Sequence, residues 1–444
     1  MRAFTHDDRG TSRREWDDLL ETAALPLLDL SPYRRLVVVG AHPDDESLGA
    51  GGLLVTGAAL GLVTALVVAT DGEGSHPGSP THDPAALARR RRAELGDALA
   101  AVGQGGATVI TLGLPDGRVG DHADEVVASI VDVVGDGRDC LVVAPYRGDG
   151  HPDHEAMGSA AAAAAHRTGA TLAEYPIWLW HAGGEHDLPL RSTVRLPLTA
   201  RTRAGKQAAI ACHTSQIRPL SDQPGDAVML PEAVLEHFAG TDELFVLTPA
   251  GQTRDDRLDR LHRDDDDPWG AESRWYEQRK RSLLLAALPR PRFTRALEVG
   301  CSTAVLTEAL QERAARVVAI DSSPAALDLA RRRLGDHADL REVDVPWRWP
   351  EGSFDLVVVS EVGYFLSPVA LEGLVGRVAD SLTPDGVVVL CHWRHPVKGW
   401  PLDGEDVHRA FASAGIPERA ATYRDRDIEI VVHTAPEQWP DPHR

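Results

Sequence analysis

The sequence predicts an α/β protein made of two Rossmann-like domains, each a mostly parallel sheet with helices on both faces. Short β-branched apolar runs alternate with helical segments along the chain, which is the pattern of buried parallel strands. A polar stretch with four consecutive aspartates, at 251–270, interrupts this pattern. The 444 residues suffice for two or three domains, and 43% of them are hydrophobic. We therefore expect domains at 1–250 and 271–444, joined by an acidic linker at 251–270.

The first domain is predicted from strand-like runs followed by helical segments. The runs lie at 35–40, 62–70 and 141–145, with helical segments at 84–102 and in an alanine-rich run that ends near residue 166. Residues 49–70 carry no charge over 22 positions, a length that could span a bilayer. Five glycines and acidic flanks favour a buried helix, a turn at Gly61 and a strand instead, so we expect no membrane span.

The second domain is predicted from a new strand–helix series after the polar stretch. Its apolar runs lie at 295–300, 316–321, 354–360 and 386–391. The two halves share no internal repeat, so we expect two differently built domains rather than a duplication.

Charge and cysteine content limit the functional classes. The formal net charge is −21, which argues against binding nucleic acid or an anionic membrane, because both need a basic face. The four cysteines form no C-x-x-C pair, so neither a disulfide framework nor a thiolate zinc site is expected. The charged N-terminus lacks the apolar segment of a signal peptide. We expect a cytoplasmic protein, and the sequence leaves its oligomeric state open.

Two polar motifs each follow a buried run in the first domain. Their metal-ligand side chains are His42, Asp44, Asp45, His151, Asp153 and His154. Open α/β sheets place their sites at the carboxyl ends of strands, so we expect these side chains to meet. Two imidazoles and one carboxylate suit zinc and leave a fourth position for water. His-Pro and Pro-Asp are also ordinary turn formers, but two such motifs after two buried strands favour a metal site.

The first half resembles the PIG-L (LmbE-like) family of zinc-dependent N-deacetylases over about 35–250. The matching motifs are A-H-P-D-D-E at 41–46, R-x-x-E at 91–94, H-P-D-H at 151–154 and H-x-S-Q at 213–216. The family often has an aromatic hydroxyl shortly before H-P-D-H. This sequence has Asp149 and Gly150 there, and Tyr146 lies five residues upstream of the motif.

The resemblance implies a role for each residue of these motifs. His42, Asp45 and His154 would bind Zn²⁺ or another divalent metal, and Asp44 would be the general base. His151, with Asp153 orienting it, would stabilise the charge that develops on the amide oxygen. Arg91 would contact a sugar hydroxyl, although its place in a run of four arginines is equally typical of a solvated helix face.

A small-residue turn in the second half has the character of a nucleotide-binding loop. Glu298-x-Gly300-x-Ser302-x-Ala304 joins a strand to a helix, and the next strand ends in Asp321. Such a turn lets the backbone approach a ligand, and the acidic residue can pair with ribose hydroxyls. Glycine-poor variants of this pattern occur in many α/β domains, so the turn alone decides little.

The second half resembles the class I S-adenosylmethionine-dependent methyltransferases, and within them the NodS-like N-methyltransferases, over about 268–435. The segments 343–366 and 382–397 carry the likeness, and W-Y-E-Q-R-K-R at 275–281 resembles the lid helix of that family. The implied contacts with S-adenosyl-L-methionine are Glu298, Gly300 and Ser302 for the methionine part, Asp321 for the ribose, and Asp344 with Val345 for the adenine edge.

The same resemblance places acceptor-facing residues after the fourth and fifth strands. Glu361 or His392 could accept the proton of an amine, and Arg394 and His395 could hold the acceptor. A buried structural role is the alternative for each histidine.

These observations predict a bifunctional enzyme. One domain would remove an N-acetyl or other acyl group from an amino sugar or glycoconjugate, and the other would methylate an acceptor. We hypothesise that the acceptor is the amine just released, and two independent activities on one intermediate are the nearest alternative. A deacetylase with a catalytically silent Rossmann-type binding module is a further alternative, since Ser302 and Ala304 replace two motif glycines.

Overall fold

The computed structural model of the chain describes residues 10–21, 23–184, 186–253, 255, 257–335, 338–412 and 415–439. Residues 1–9, on which part of the signal-peptide expectation rests, lie outside the described residues. The chain divides into two compact units, Met1–Arg254 and Asp255–Arg444. Each unit contains one seven-stranded, mostly parallel sheet with flanking helices, which confirms the predicted α/β class.

The first unit is built around a mixed sheet with an antiparallel edge. Its strands are β1 Arg35–Gly40, β2 Val63–Thr70, β3 Thr108–Leu114, β4 Cys140–Pro145, β5 Thr171–Tyr175, β6 Thr193–Pro197 and β7 Asp242–Thr248. They are ordered β3-β2-β1-β4-β5-β7-β6, with the first five parallel and β7 antiparallel to both of its neighbours. The helices are α1 Arg13–Glu21, α2 Asp45–Leu60, α3 Pro84–Ala101, α4 Ala123–Val134, α5 Pro152–Thr168, α6 Leu179–Ala182, α7 Ala200–Cys212, α8 Thr214–Ile217 and α9 Glu232–Leu235.

Strand β1 is apolar along its whole length because helices cover both faces of the sheet. Leu36 and Val38 pack into the core on one face, and Val37 and Val39 pack into the core on the other. Strands β1 and β4 are neighbours and run parallel, so the loops that follow them meet at one edge of the sheet.

The uncharged residues 49–70 form α2, a turn and β2, as the sequence predicts. Gly49 lies where an added Cβ would be 2.0 Å from the Tyr175 ring, so only glycine lets α2 approach β5 this closely. Helix α2 ends at Leu60, and Gly61 caps it in the left-handed conformation. Among the described residues, no helix is both long and apolar enough to cross a bilayer.

The second unit contains a sheet of the same kind. Its strands are β8 Phe293–Val299, β9 Ala314–Asp321, β10 Asp339–Glu342, β11 Phe354–Ser360, β12 Leu382–Trp393, β13 Arg419–Arg424 and β14 Ile428–His433. They are ordered β10-β9-β8-β11-β12-β14-β13, parallel through β12 and antiparallel at the β14–β13 edge. The helices are α10 Arg257–Asp264, α11 Trp275–Ala287, α12 Val305–Gln311, α13 Pro324–Leu334, α14 Pro368–Ser381 and α15 Gly404–Ala412.

The acidic segment 251–270 contains a helix that belongs to the second unit. The sequence predicts a linker there, but α10 occupies Arg257–Asp264 and Asp259 hydrogen-bonds to Ser323 at the start of α13. The four aspartates begin at the last residue of α10. Much of the segment is therefore folded, because its side chains hydrogen-bond to the second unit.

Candidate active sites

The first candidate site lies where the loops after β1 and β4 meet. Asp45 stands between two imidazoles: its Oδ2 is 3.9 Å from His42 Nδ1, and its Oδ1 is 3.3 Å from His154 Nε2. One ligand atom from each of the three residues lies within 4.8 Å of the others. The donor set is two nitrogens and one carboxylate oxygen on a buried edge, which fits zinc with a coordination position left open.

Hydrogen bonds hold Asp45 in its ionised form. Its Oδ2 accepts the backbone N–H groups of Ala41 and His42 at 2.7 and 3.0 Å. Burial alone would raise the pKa of Asp45, but the facing His154 and His42 lower it below its ordinary value. A carboxylate that stays ionised is the form that binds a metal ion.

Asp149 is a site residue that the sequence analysis did not assign. It is completely buried, and its Oδ2 lies 2.7 Å from His154 Nδ1. The same carboxylate accepts the backbone N–H groups of Ile177, Trp178 and Leu179 at 2.7 to 3.0 Å. The pair with Asp149 occupies Nδ1 of His154 and directs Nε2 towards Asp45, as carboxylate partners of metal-binding histidines do.

Asp149 lies shortly before H-P-D-H and contacts His154 of that motif. Tyr146, the nearest tyrosine upstream of the motif, packs against the hydrophobic core of the unit. Asp149 and His154 are five residues apart in the sequence, but only the fold shows that their side chains form a hydrogen bond.

We expect Asp149→Asn to weaken zinc binding by about ten- to a hundredfold, the usual cost of losing a partner of a metal-binding histidine. An amide can satisfy part of the hydrogen bonding but carries no charge to orient and polarise His154. Competition with a chromogenic chelator measures the affinity, and Asp121→Asn, on an exposed side chain, is the control. Unchanged zinc affinity in Asp149→Asn would contradict this role.

Asp44 directly precedes α2 and has a strained backbone conformation, with φ at 139°. Its carboxylate is buried, and burial raises its pKa to about 6, against the opposing charge of Arg91. Asp44 is thus a buried carboxyl group that adjoins the candidate metal ligand Asp45 and has a pKa near neutrality. These are the properties of a general base.

Arg91 holds this loop in place. It is 3% exposed, and its guanidinium donates to Gly72 O, Pro43 O and Asp44 Oδ2 at 2.8 to 3.1 Å. The solvated-face alternative is therefore wrong for Arg91. A contact between Arg91 and a sugar hydroxyl stays a prediction.

His151 is a half-buried, neutral imidazole. Its Nδ1 accepts the backbone N–H of Asp153 at 3.2 Å, so the ring proton is on Nε2. Burial, followed by the neighbouring His154 and His42, lowers the pKa of His151 to about 3. The Nε2–H group can therefore donate a hydrogen bond to a developing negative charge.

The Asp153 carboxylate does not orient His151 as we expected. It accepts the backbone N–H groups of Gly117 and Val119 and lies 3.3 Å from Nε2 of His42. Asp116, after β3, is a second partner of His42 Nε2 at 3.0 Å and was not found from the sequence. Burial would lower the pKa of His42, but hydrogen bonds to these two carboxylates raise it to about 9.

The two remaining motifs of the first unit form a wall of the site. Glu94 accepts hydrogen bonds from the Ser215 backbone N–H, the Ser215 hydroxyl and the Thr214 hydroxyl at 2.6 to 2.8 Å. His213 Nε2 lies 2.9 Å from the hydroxyl of Ser47 on α2. R-x-x-E and H-x-S-Q therefore contact each other through Glu94 and Ser215.

The second candidate site begins with the loop after β8. Gly300, Ser302 and Ala304 have φ values of 73°, 47° and 63°, all in the left-handed region that favours glycine. An added Cβ at Gly300 would lie 1.8 Å from the Val362 side chain, so that position requires glycine. Ser302 and Ala304 thus adopt a conformation that glycine would adopt more easily, at a strain of about 1 kcal/mol or more each.

The predicted contacts with S-adenosylmethionine lie around this loop. Asp321 ends β9 and accepts the backbone N–H groups of Ser302 and Ser323 at 2.8 and 2.9 Å. Glu298 is buried and accepts the Thr307 hydroxyl at 2.6 Å, and burial raises its pKa to about 8. Asp344 and Val345 follow β10, and Val345 packs against the core.

Glu361 lies at the end of β11 in a left-handed conformation, with φ at 59°. One carboxylate oxygen is 3.2 Å from Lys280 Nζ, and the other bonds to the Tyr364 hydroxyl and to the backbone N–H of Trp393. Lys280, on α11, is buried and also pairs with Glu277 at 2.8 Å. Lys280 was not assigned from the sequence, although a lysine in a lid helix was visible there.

Two buried polar atoms near Glu361 have no hydrogen-bond partner among the described residues. They are the Tyr276 hydroxyl, whose ring lies 5.3 Å from Lys280 Nζ, and Nε2 of His392, whose ring lies 5.6 Å from that of Tyr364. Burial, followed by the charge of Lys280, lowers the pKa of His392 to about 3. Unpartnered polar groups beside a strained carboxylate are typical of a site that binds a polar ligand.

Arg394 and His395 are engaged away from Glu361. Arg394 donates to the carbonyl of Asp425, and His395 Nε2 lies 3.0 Å from the Asp427 carboxylate. A role for them in holding the acceptor stays a prediction.

Comparison with known proteins covers both units. Residues 37–165 match the PIG-L family model, described as GlcNAc-PI de-N-acetylase, and residues 251–401 match the model of nodulation protein S (NodS). Nodulation protein S of Sinorhizobium fredii is 32% identical over 149 residues, which cover 32% of this chain and 69% of that protein. The second unit belongs to the NodS family. The first unit contains a PIG-L domain, so both predicted resemblances are confirmed.

Other relatives match shorter parts of their own length. Nodulation protein S of Rhizobium tropici is 37% identical over 28% of this chain and 54% of that protein. The 1D-myo-inositol 2-acetamido-2-deoxy-alpha-D-glucopyranoside deacetylase of Kineococcus radiotolerans is 36% identical over 31% of this chain and 45% of that protein. The chain therefore spans about half the length of these two relatives.

The PIG-L match includes His42, Asp45 and His154 but ends before the H-x-S-Q motif. The NodS match includes Glu298, Asp321 and Glu361, and it starts early enough to contain α10.

Proposed function

We propose that the chain is a bifunctional enzyme: its PIG-L domain hydrolyses the amide of an N-acetylated amino sugar or glycoconjugate, and its NodS-family domain methylates the amine that is released. The observation that carries this proposal is the buried set of His42, Asp45 and His154 beside Asp44, on the same chain as a NodS-family domain. The first site has residues suited to amide hydrolysis, which releases an amine. The second site lies in a domain of a methyltransferase family.

The residues of the first site support amide hydrolysis. A zinc ion held by the two histidines and Asp45 would supply a polarised, acidified water. Asp44 would accept the proton of the attacking water, and Arg91 holds the Asp44 carboxylate by a hydrogen bond at 3.1 Å. His151 presents its Nε2–H to the negative charge that develops on the amide oxygen.

The residues of the second site support transfer to an amine. S-adenosylmethionine supplies the methyl group, and the main requirement is to align an unprotonated nitrogen with it. Glu361 is placed to accept the proton that the amine loses, and Lys280 Nζ lies 3.2 Å from its carboxylate. His392, the other acceptor that the sequence suggests, is a poor base because burial lowers its pKa to about 3.

An aromatic row beside Glu361 supports an acceptor amine carried on a sugar. Tyr364 bonds to Glu361, and the Phe365 ring lies 4.7 Å from the Tyr364 ring and 5.0 Å from the Trp400 ring. Trp269, 38% exposed, lies 6.3 Å from Phe365 and extends the row towards solvent. The apolar C–H face of a sugar ring packs well on such aromatic rings, whereas its hydroxyls need the polar groups nearby.

The order of the two reactions follows from their chemistry. An acetamide nitrogen is a poor nucleophile, and hydrolysis converts it into an amine that a methyltransferase can use. Joining both activities in one chain raises the local concentration of the intermediate for the second step.

A silent second domain is the competing proposal, and the departures at Ser302 and Ala304 favour it. Against it, both residues adopt the left-handed conformation that favours glycine, and their side chains are small, which supports a loop that a ligand can approach closely. We therefore propose an active methyltransferase.

The test uses the full chain with zinc and an alkyl N-acetyl-β-glucosaminide. We expect acetate release that a chelator abolishes, and we expect transfer of labelled methyl from S-adenosylmethionine to the matching free glucosaminide. The chelator should leave the methyl transfer intact, because that step needs no metal. Absence of metal-dependent acetate release across glucosaminide, chitobioside and inositol glycoside substrates would contradict the hydrolytic part. Absence of methyl transfer to their free amines would contradict the second part.

A further inference from the structure

Helix α10 contacts the loop that replaces the glycine motif. His262 is 6% exposed, and its Nε2 lies 2.9 Å from the Ser302 hydroxyl. Its Nδ1 lies 2.8 Å from the carbonyl oxygen of Leu258, which can only accept, so Nδ1 carries the proton. In the neutral ring Nε2 is then an acceptor, and the Ser302 hydroxyl donates to it.

A second residue of α10 makes an equivalent contact with the start of α13. Asp259 Oδ1 accepts the Ser323 hydroxyl at 2.7 Å and the backbone N–H of Ala325 at 3.1 Å. His262 and Asp259 lie three residues apart and therefore on one face of the helix. That face is directed at two serines.

The same two serines hold the carboxylate of Asp321. The Ser302 backbone N–H donates to Oδ2, and the Ser323 backbone N–H donates to Oδ1. A carboxylate oxygen can accept more than one hydrogen bond, so Asp321 can accept a ribose hydroxyl in addition to these amides. Both serines are thus bound twice: by their side chains to α10 and by their amides to Asp321.

We propose that His262 and Asp259 are positioning residues for the methyl donor, because they fix the two serines whose amides orient Asp321 towards the ribose. This inference rests on the proposed function, in which Asp321 binds the ribose hydroxyls of S-adenosylmethionine.

The restraint has a reason in this chain's own sequence. Ser302 lies in a left-handed conformation that a serine adopts less readily than glycine. A hydrogen bond from its side chain to α10 compensates for part of that cost and keeps its amide directed at Asp321. A glycine at 302 would have no side chain for α10 to hold, so Ser302 and His262 act together.

The test is calorimetric titration of S-adenosylhomocysteine into the full chain and its variants. We expect His262→Ala and Ser302→Ala each to weaken binding by about three- to tenfold, the range for one hydrogen bond. Asp321→Asn should weaken it more. Asp264→Ala, on an exposed position of the same helix, is the control and should bind as the wild type does. Thermal denaturation establishes that each variant is folded, and Ser302→Ala removes only a hydroxyl if His262→Ala is unstable.

A double-mutant cycle separates positioning from a general structural effect. Because His262 acts through Asp321, adding His262→Ala to Asp321→Asn should cause little further loss of affinity. Full affinity in His262→Ala and Ser302→Ala, or the same loss with and without Asp321, would overturn the inference and leave the proposed function intact. Absence of binding by the wild-type chain would overturn the proposed methyl transfer, and this inference with it.

Discussion

Asp44→Asn should lower the rate of amide hydrolysis by about 10²- to 10⁴-fold, the contribution usual for a general base. The nucleophilic water must lose a proton as it attacks. Asp44 is the buried carboxyl group that adjoins the candidate metal ligand Asp45, so it is placed to accept that proton. Burial raises its pKa to about 6, so the wild-type group is largely ionised at neutral pH and binds the proton readily. An asparagine cannot accept that proton.

The substitution is conservative in every other respect. An asparagine oxygen can still accept the hydrogen bond from Arg91, which also keeps its bonds to Pro43 and Gly72. Zinc content should therefore stay close to that of the wild type, and Asp121→Asn is the matched surface control. The measurement is the rate of acetate release by Asp44→Asn and by the wild type at equal zinc content. Hydrolysis within about twofold of the wild type would exclude Asp44 as the base.

Glu361→Gln should reduce methyl transfer by about 10²-fold or more at neutral pH. The acceptor amine is mostly protonated there, and the glutamine cannot take up its proton. The deficit should shrink as the pH rises towards the pKa of the free amine, because solvent then supplies the unprotonated nucleophile. We therefore predict that the methyl-transfer rate of Glu361→Gln approaches that of the wild type in alkaline solution.

Three measurements distinguish this role from a structural one. Affinity for S-adenosylhomocysteine should stay unchanged, because the predicted cofactor contacts lie on or directly after β8, β9 and β10 rather than at Glu361. Lys280 keeps its ion pair with Glu277, so the variant should fold. Glu405→Gln, at the exposed start of α15, is the control. A deficit that is constant from neutral to alkaline pH would contradict proton acceptance by Glu361.

Site residues could be predicted from the sequence where they directly follow a buried strand. Strands β1 and β4 are continuous apolar runs, so the histidines and aspartates that follow them could be placed at one sheet edge. Strand β3 and strand β13 alternate between exposed and half-buried residues at the sheet edges, and no apolar run marks them. These two strands became evident only in the structure.

Two of the residues that the sequence analysis missed, Asp116 and Lys280, have partners in distant parts of the chain. Asp116 reaches His42 across 74 positions, and Lys280 reaches Glu361 across 81. Asp153 lies two residues from His151, yet its carboxylate turns towards His42 because two backbone amides after β3 hold it there. Helix α10 is short and highly charged, so composition indicates a linker. Hydrogen bonds that Asp259 and His262 accept from Ser323 and Ser302 fix it in the fold.

The most direct test of sequential deacetylation and N-methylation is the order of the two steps. The full chain, loaded with zinc, is incubated with an N-acetylated glucosaminide and labelled S-adenosylmethionine, and the products are followed by mass spectrometry. With the wild type, we predict that the free amine appears first and the N-methyl amine follows. With Asp44→Asn, the acetylated substrate should remain unmethylated, while added free glucosaminide is methylated at the normal rate. Methyl transfer to the acetylated glycoside by Asp44→Asn, as fast as to the free amine, would contradict the account.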